Sequence, residues 1–118
     1  MHDIPEYEQS PPEQLRVAGN EWSDLDAAAF LMAETKTSEL ARRTLEHAEE
    51  FGPMSNAKAE QIIKASNEWR AHLVQIADAR RHANRARVYY DSLRTKFAYW
   101  QSQNANRREE RHATRHHG

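Results

Sequence analysis

The chain has 118 residues, 38% of them apolar and 30% charged, with a formal net charge of −1 and a mean hydropathy of −1.04. That length predicts one domain, and so few apolar residues predict an elongated helical shape rather than a rounded core. Three Gly and four Pro exclude turn-rich sandwiches and barrels, and the lack of Cys excludes disulfides and thiolate metal sites.

Residues 1–22 read as an extended lead-in, with Pro5, Pro11 and Pro12, followed by a short helix. Ser10-Pro11-Pro12-Glu13 supplies its start, because proline costs nothing where the helix has no use for an N–H. Gly19-Asn20 predicts its end or a kink. Ser23-Asp24-Leu25-Asp26, a serine with a carboxylate three residues on, predicts the N-terminus of a helix over 23–51. Gly52-Pro53 stops it. Ser55 caps a short helix through Ala57, Ala59, Ile62 and Ile63, and Ser66-Asn67-Glu68-Trp69 reads as a fresh cap with a bend near residue 66.

From Asn67 no Gly or Pro interrupts the chain before Gly118, which predicts a long helix over 67–110 with fraying beyond. Trp69, Ile76, Ala79, Ala83, Ala86, Tyr90, Leu93, Phe97 and Trp100 recur at three- and four-residue spacing, a coiled-coil-like seam. The expected fold is all-α, an elongated antiparallel helical hairpin over 23–110 with short accessory helices and a basic, His-rich tail over 111–118. Pairing helices of such unequal length leaves the end of the longer one bare. Phe97, Tyr99 and Trp100 then need cover from the N-terminal segment (Ile4, Tyr7, Leu15, Val17), a second copy or a partner. So thin a core also predicts self-association, most simply as a homodimer.

The longest apolar run, Ala27 to Ala33, is seven residues, well short of the roughly 20 of a membrane helix. The acidic stretch Met1 to Glu8 resembles neither a secretory signal nor a transit peptide, so a cytoplasmic location is expected.

The charge is unevenly spread. Residues 1–51 hold 12 acids against 4 bases, whereas residues 52–118 hold 6 acids against 13 bases and five of the seven His. Either two helices neutralise one another, with Arg80, Arg81, Arg85 and Arg87 meeting glutamates of the acidic helix, or a basic arm is kept for a polyanion. The stretch Tyr89 to Trp100 interleaves aromatic and basic residues, the combination that holds single-stranded nucleic acid by stacking and phosphate contact. Arg94, Lys96, Arg107, Arg108 and Arg111 are the candidate phosphate ligands, and Tyr99 and Trp100 the stacking candidates; the bland alternative is that Tyr90, Phe97 and Trp100 are seam residues. Asp24, Asp26, Glu34, Glu46, Glu49 and Glu50 are candidates for an acidic protein-binding face. Thr35-Lys36-Thr37-Ser38-Glu39 forms a polar belt, either a contact surface or a solvated face. His112 and His116 stand four apart, yet without the glutamate of a His-Glu-x-x-His zinc site, so no metal site is expected. With no Cys nucleophile, Gly-rich phosphate loop or Gly-x-Ser-x-Gly elbow, neither catalysis nor a cofactor is expected.

Glu34-Thr35-Lys36, Lys58-Ala59-Glu60, Lys64-Ala65-Ser66-Asn67-Glu68-Trp69, Phe97 and Trp100-Gln101-Ser102-Gln103-Asn104-Ala105-Asn106-Arg107 resemble a group of small helical proteins of tailed phages and prophages of proteobacteria, from early or recombination gene regions. The likeness covers about residues 22–110 and carries no site residue. It implies a phage setting, hence a host cytoplasm, and a link to DNA handling. Two functions follow as expectations: a non-enzymatic accessory protein that contacts DNA or a DNA-processing complex through its basic helix end, or an inhibitor or adaptor of host machinery, such as a nuclease or CRISPR inhibitor, that uses the acidic helix.

Overall fold

In the computed structural model residues 9–117 are described, their side chains as far as Ala113. Every regular element among them is helical: α1 (Pro11–Glu34), α2 (Lys36–Phe51), α3 (Asn56–Lys64) and α4 (Asn67–His117). The fold is all-α, with α1 and α4 as the antiparallel arms of a helical hairpin. Trp22 of α1 meets Tyr90 of α4, and Asp26 of α1 meets Arg80 of α4. No described helix is long and apolar enough to cross a membrane. Ile4 and Tyr7 lie outside the described residues.

The start of α1 matches its sequence signal. Ser10 Oγ accepts the Glu13 amide at 3.4 Å, and the Ser10 carbonyl accepts the Gln14 amide at 2.9 Å. The helix does not stop at Gly19, and Ser23 is in its interior instead of capping a new one. The reason is a single apolar stripe: Leu15, Ala18, Trp22, Leu25, Ala29 and Met32 follow at three- and four-residue spacing and are all buried or half-buried. Burial along that stripe outweighs a local cap signal. Gly19 keeps ordinary helical backbone, and its role is one of space. A Cβ built there would sit 3.2 Å from Tyr90 Cε2, so glycine lets the ring lie against the helix.

The expected helix over 23–51 is instead divided at Thr35. Thr35 Oγ1 donates to the Leu31 carbonyl at 2.8 Å and to the Met32 carbonyl at 3.3 Å. A hydroxyl competing for those carbonyls weakens the helix at this point. The polar belt that follows is exposed from Thr35 through Ser38. α2 ends where expected, with Gly52 at φ 96° and its amide donating to the Ala48 carbonyl at 3.1 Å, a backbone that favours glycine. Ser55 Oγ accepts the Lys58 amide at 3.2 Å and Ser66 Oγ the Trp69 amide at 3.1 Å, so both expected caps are in place. α4 is helical through His117, beyond the limit of 110 expected from the sequence.

Two compact units divide the chain: Ser23–Asn84, and the chain up to Trp22 together with that from Arg85 onward. In the first, α2 packs on α3, and Ala29, Ala59 and Ala83 are buried with Trp69 and Thr44. The Arg43 guanidinium lies 5.6 Å over the Trp69 ring, and His72 packs against the same ring at 5.2 Å. In the second unit Ala18 and Leu93 are buried and Trp22 tilts against Tyr90 at 5.5 Å. Along α4, Trp69, His72, Ile76, Ala79, Ala83, Ala86, Tyr90, Leu93 and Phe97 are all buried or half-buried. This is the seam read from the sequence with His72 added, except that its last expected position, Trp100, is exposed instead.

His72 is the costly member of that seam, since its Nε2 is buried with no hydrogen-bond partner. A buried polar atom left unpaired forgoes about 1–3 kcal/mol. His72→Leu is therefore expected to stabilise the protein by about 1 kcal/mol, read as a higher urea midpoint at unchanged slope. A lower midpoint would mean that the histidine holds its place by a bond to water or by its contact with Trp69.

Candidate nucleic-acid interface

The C-terminal part of α4 is built by the lack of any helix breaker between Asn67 and His117. Tyr90 lies opposite Gly19, and α1 begins at Pro11. Eight residues are about 12 Å of helix, so α1 covers α4 no further than about residue 98. Beyond that point burial falls away: Gln103 and Asn104 are half-buried, and every residue from Ala105 to Ala113 is exposed.

Phe97 is half-buried, and Trp100 stacks on it with ring centroids 5.7 Å apart and planes 19° apart. Trp100 remains 43% exposed and Tyr99 68% exposed. Successive residues turn by about 100° around a helix, which separates the seven sequence-predicted residues into groups. Lys96, Trp100, Arg107 and Arg111 share one side, with Gln103 at matching spacing between them. Tyr99 points to a neighbouring side about 100° from Trp100, and Arg94 and Arg108 lie on the other flank. Gln103 was missed in the sequence because an amide carries no charge or aromatic signal; its three-residue step from Trp100 was the available clue.

The two units differ in how their bases are used. In the Ser23–Asn84 unit, Arg42 donates to Glu39 and Glu46, Arg43 to Glu39, Arg80 to Asp26 at 2.6 Å, and Lys64 and Arg81 pair with Glu60 and Asp78. The expected pairing of the α4 arginines with glutamates of the acidic helix is thus replaced by Asp26 for Arg80 and by Asp78 of α4 itself for Arg81. In the other unit Arg94 only reaches Asp91 at 4.0 Å and rests 5.9 Å over the Tyr90 ring. Arg85, Arg87, Lys96, Arg107, Arg108 and Arg111 form no ion pair with a described residue.

The acidic candidates separate likewise. Asp26 and Glu46 are engaged by Arg80 and Arg42. Asp24, Glu34, Glu49 and Glu50 are exposed. Glu49 and Glu50 close α2 beside Phe51, which is 64% exposed. A groove of about 430 Å³ between α2 and α3, lined by Thr37, Leu40, Ala41, Thr44 and Leu45 with Asn56 and Glu60 at its polar side, has no counterpart in the sequence pattern. Among the described residues, no three His, Asp or Glu side chains come together to hold a metal ion; His116 lies outside the described side chains.

The strongest electrostatic feature is structural. Hydrogen bonds from Arg42 and then Arg43 draw the Glu39 carboxyl from an ordinary 4.5 down to about 2, and Arg16 lowers Glu13 in the same way. A carboxylate whose pKa is lower folded than unfolded stabilises the fold above the unfolded value and loses that contribution as pH falls through the folded one. Acid unfolding is therefore expected to steepen between pH 4.5 and about 2, and Glu39→Gln to flatten that limb in circular-dichroism titrations. An unchanged acid limb would show that the pair is loose in solution.

Compared with protein-family models, with curated proteins and with solved structures, the chain matches none.

Proposed function

We propose that this is a non-enzymatic, phage-associated protein that contacts DNA, or a complex assembled on DNA, through the C-terminal part of α4. The observation that carries the reading is the distribution of bases that form no ion pair with a described residue. Arginines in the Ser23–Asn84 unit are mostly neutralised by neighbouring acids, whereas Lys96, Arg107, Arg108 and Arg111 are exposed with no ion pair to a described residue, and all but Arg108 share a side of α4 with the exposed Trp100. Exposed ion pairs add little stability, so arginines at this helix end that pair with no described residue do little for the fold itself. Arginine holds phosphates by paired hydrogen bonds, and each phosphate neutralised releases counterions.

The test is a fluorescence-anisotropy titration of labelled DNA at 50 and 200 mM salt. Saturable binding that weakens by at least tenfold between the two is expected. Salt-independent binding, or none at 50 mM, would overturn the reading.

A second reading has its own observation: Glu46, Glu49 and Glu50 cluster on the last turns of α2, next to the exposed Leu45 and Phe51. An acidic rim around apolar side chains suits a basic protein surface, as an inhibitor or adaptor of host machinery would need. Recovery of one stoichiometric host protein from nuclease-treated lysate, lost in Glu49→Lys/Glu50→Lys, would favour it.

A further inference from the structure

We propose that the ligand at this end of α4 is a single strand, with a base stacked on Trp100 and its phosphates held by Lys96, Arg107 and Arg111. The proposal rests on the nucleic-acid reading above and chooses among the forms of nucleic acid. Stacking needs an aromatic face held in place and still open. Phe97, itself half-buried in the seam, lies nearly parallel to Trp100, at 19° and 5.7 Å. The brace fixes the indole plane while 43% of Trp100 stays exposed. Bases in a duplex already have both faces covered by their neighbours, whereas unpaired bases stack on such platforms with little regard to sequence.

The surroundings fit a strand. Lys96 precedes Trp100 by one helical turn, and Arg107 and Arg111 follow on the same side. From Lys96 to Arg111 is about 22 Å of helix, the length of about six nucleotides at the 3.4 Å spacing of a stacked strand. Gln103 lies between the tryptophan and the arginines, where its amide reaches a base edge from either hydrogen-bonding sense. Tyr99, though more exposed, is on another side of α4 and has no cation one turn along that side except Lys96. Exposed aromatics alone do not make a platform; the stacked partner and the row of bases distinguish Trp100.

The experiment compares a labelled mixed-sequence single strand of 20 nucleotides with the corresponding duplex at 50 mM salt. The single strand is expected to bind more tightly. Trp100→Ala is expected to weaken single-strand binding by about five- to a hundredfold, the value of one base–aromatic stack, with less than a twofold change for the duplex. Trp100→Phe keeps most of the affinity, and Tyr99→Ala leaves it unchanged. If Trp100→Ala loses helicity, Trp100→Leu against Trp100→Phe makes the same comparison. A duplex bound as tightly as the single strand, or a single-strand affinity indifferent to aromaticity at residue 100, overturns the proposal and leaves the nucleic-acid reading standing. Failure of both probes to bind removes that reading and the proposal with it.

Discussion

Trp69→Ala is expected to remove most of the protein's stability at room temperature. Trp69 is 3% exposed, and the other buried apolar residues among those described are Ala18, Ala29, Ala59, Ala83 and Leu93. Removing a buried tryptophan costs about 3–5 kcal/mol, against a total stability of about 5–15 kcal/mol for an ordinary domain. The buried set here is poor in large side chains, which places the chain toward the low end of that range. The loss also strips the ring from beneath Arg43 and from beside His72. Thermal circular dichroism reads the result directly: the wild type melts in one transition, whereas the variant shows reduced helicity and a shallow slope from low temperature. Trp69→Phe keeps part of the burial and should melt between the two. A variant that melts within a few degrees of wild type would mean that the buried set is larger in solution than one tryptophan and its alanines.

The second large effect is in binding. Arg107→Glu/Arg111→Glu is expected to lower affinity for single-stranded DNA by at least a hundredfold, since each charge-assisted contact is worth about 1.5–3 kcal/mol. It should also reduce the slope of log affinity against log salt by about 1.4, the share of two phosphates on a single strand. Arg94→Glu/Arg108→Glu changes net charge by the same amount on the other flank of α4, so long-range attraction falls equally while direct contacts survive. A clear difference between the two double variants separates contact from bulk charge. Equal losses would mean that the helix end attracts DNA without holding it in one orientation. All four arginines are exposed, so neither variant should lower the melting temperature much.

Helix content, the stop at Gly52, the caps at Ser55 and Ser66 and the α4 seam were legible because each is a local pattern. The seam positions recur every three or four residues, and burial follows them as far as Phe97, whereas Trp100 is exposed. The N-terminal half was misjudged where two local signals competed. Gly19 and the Ser23 cap both argue for a boundary, and a stripe of six apolar residues running through them argues against one; tertiary burial decides between them. The division at Thr35 had a weak signal in its polar belt, but the acceptance of its hydroxyl by Leu31 and Met32 is a matter of rotamer and cannot be counted from composition. At the candidate site the residue types were visible and their arrangement was partly so. Helical spacing alone divides Trp100 from Tyr99, whereas the stacking of Trp100 on Phe97 and the neutralisation of the Ser23–Asn84 arginines depend on geometry.

Gly19 and Tyr90 have a consequence for how the two arms find their alignment. Alanine-rich helix faces are smooth, and smooth faces can slide past one another by a heptad at small energetic cost, because each small side chain meets another much like it. A tyrosine ring lodged at the one glycine on α1 acts as a detent: displaced by a turn in either direction, the ring meets a side chain where it now meets bare backbone. The notch at Gly19 thus adds a steric preference for one alignment of α1 on α4 to whatever their other contacts supply.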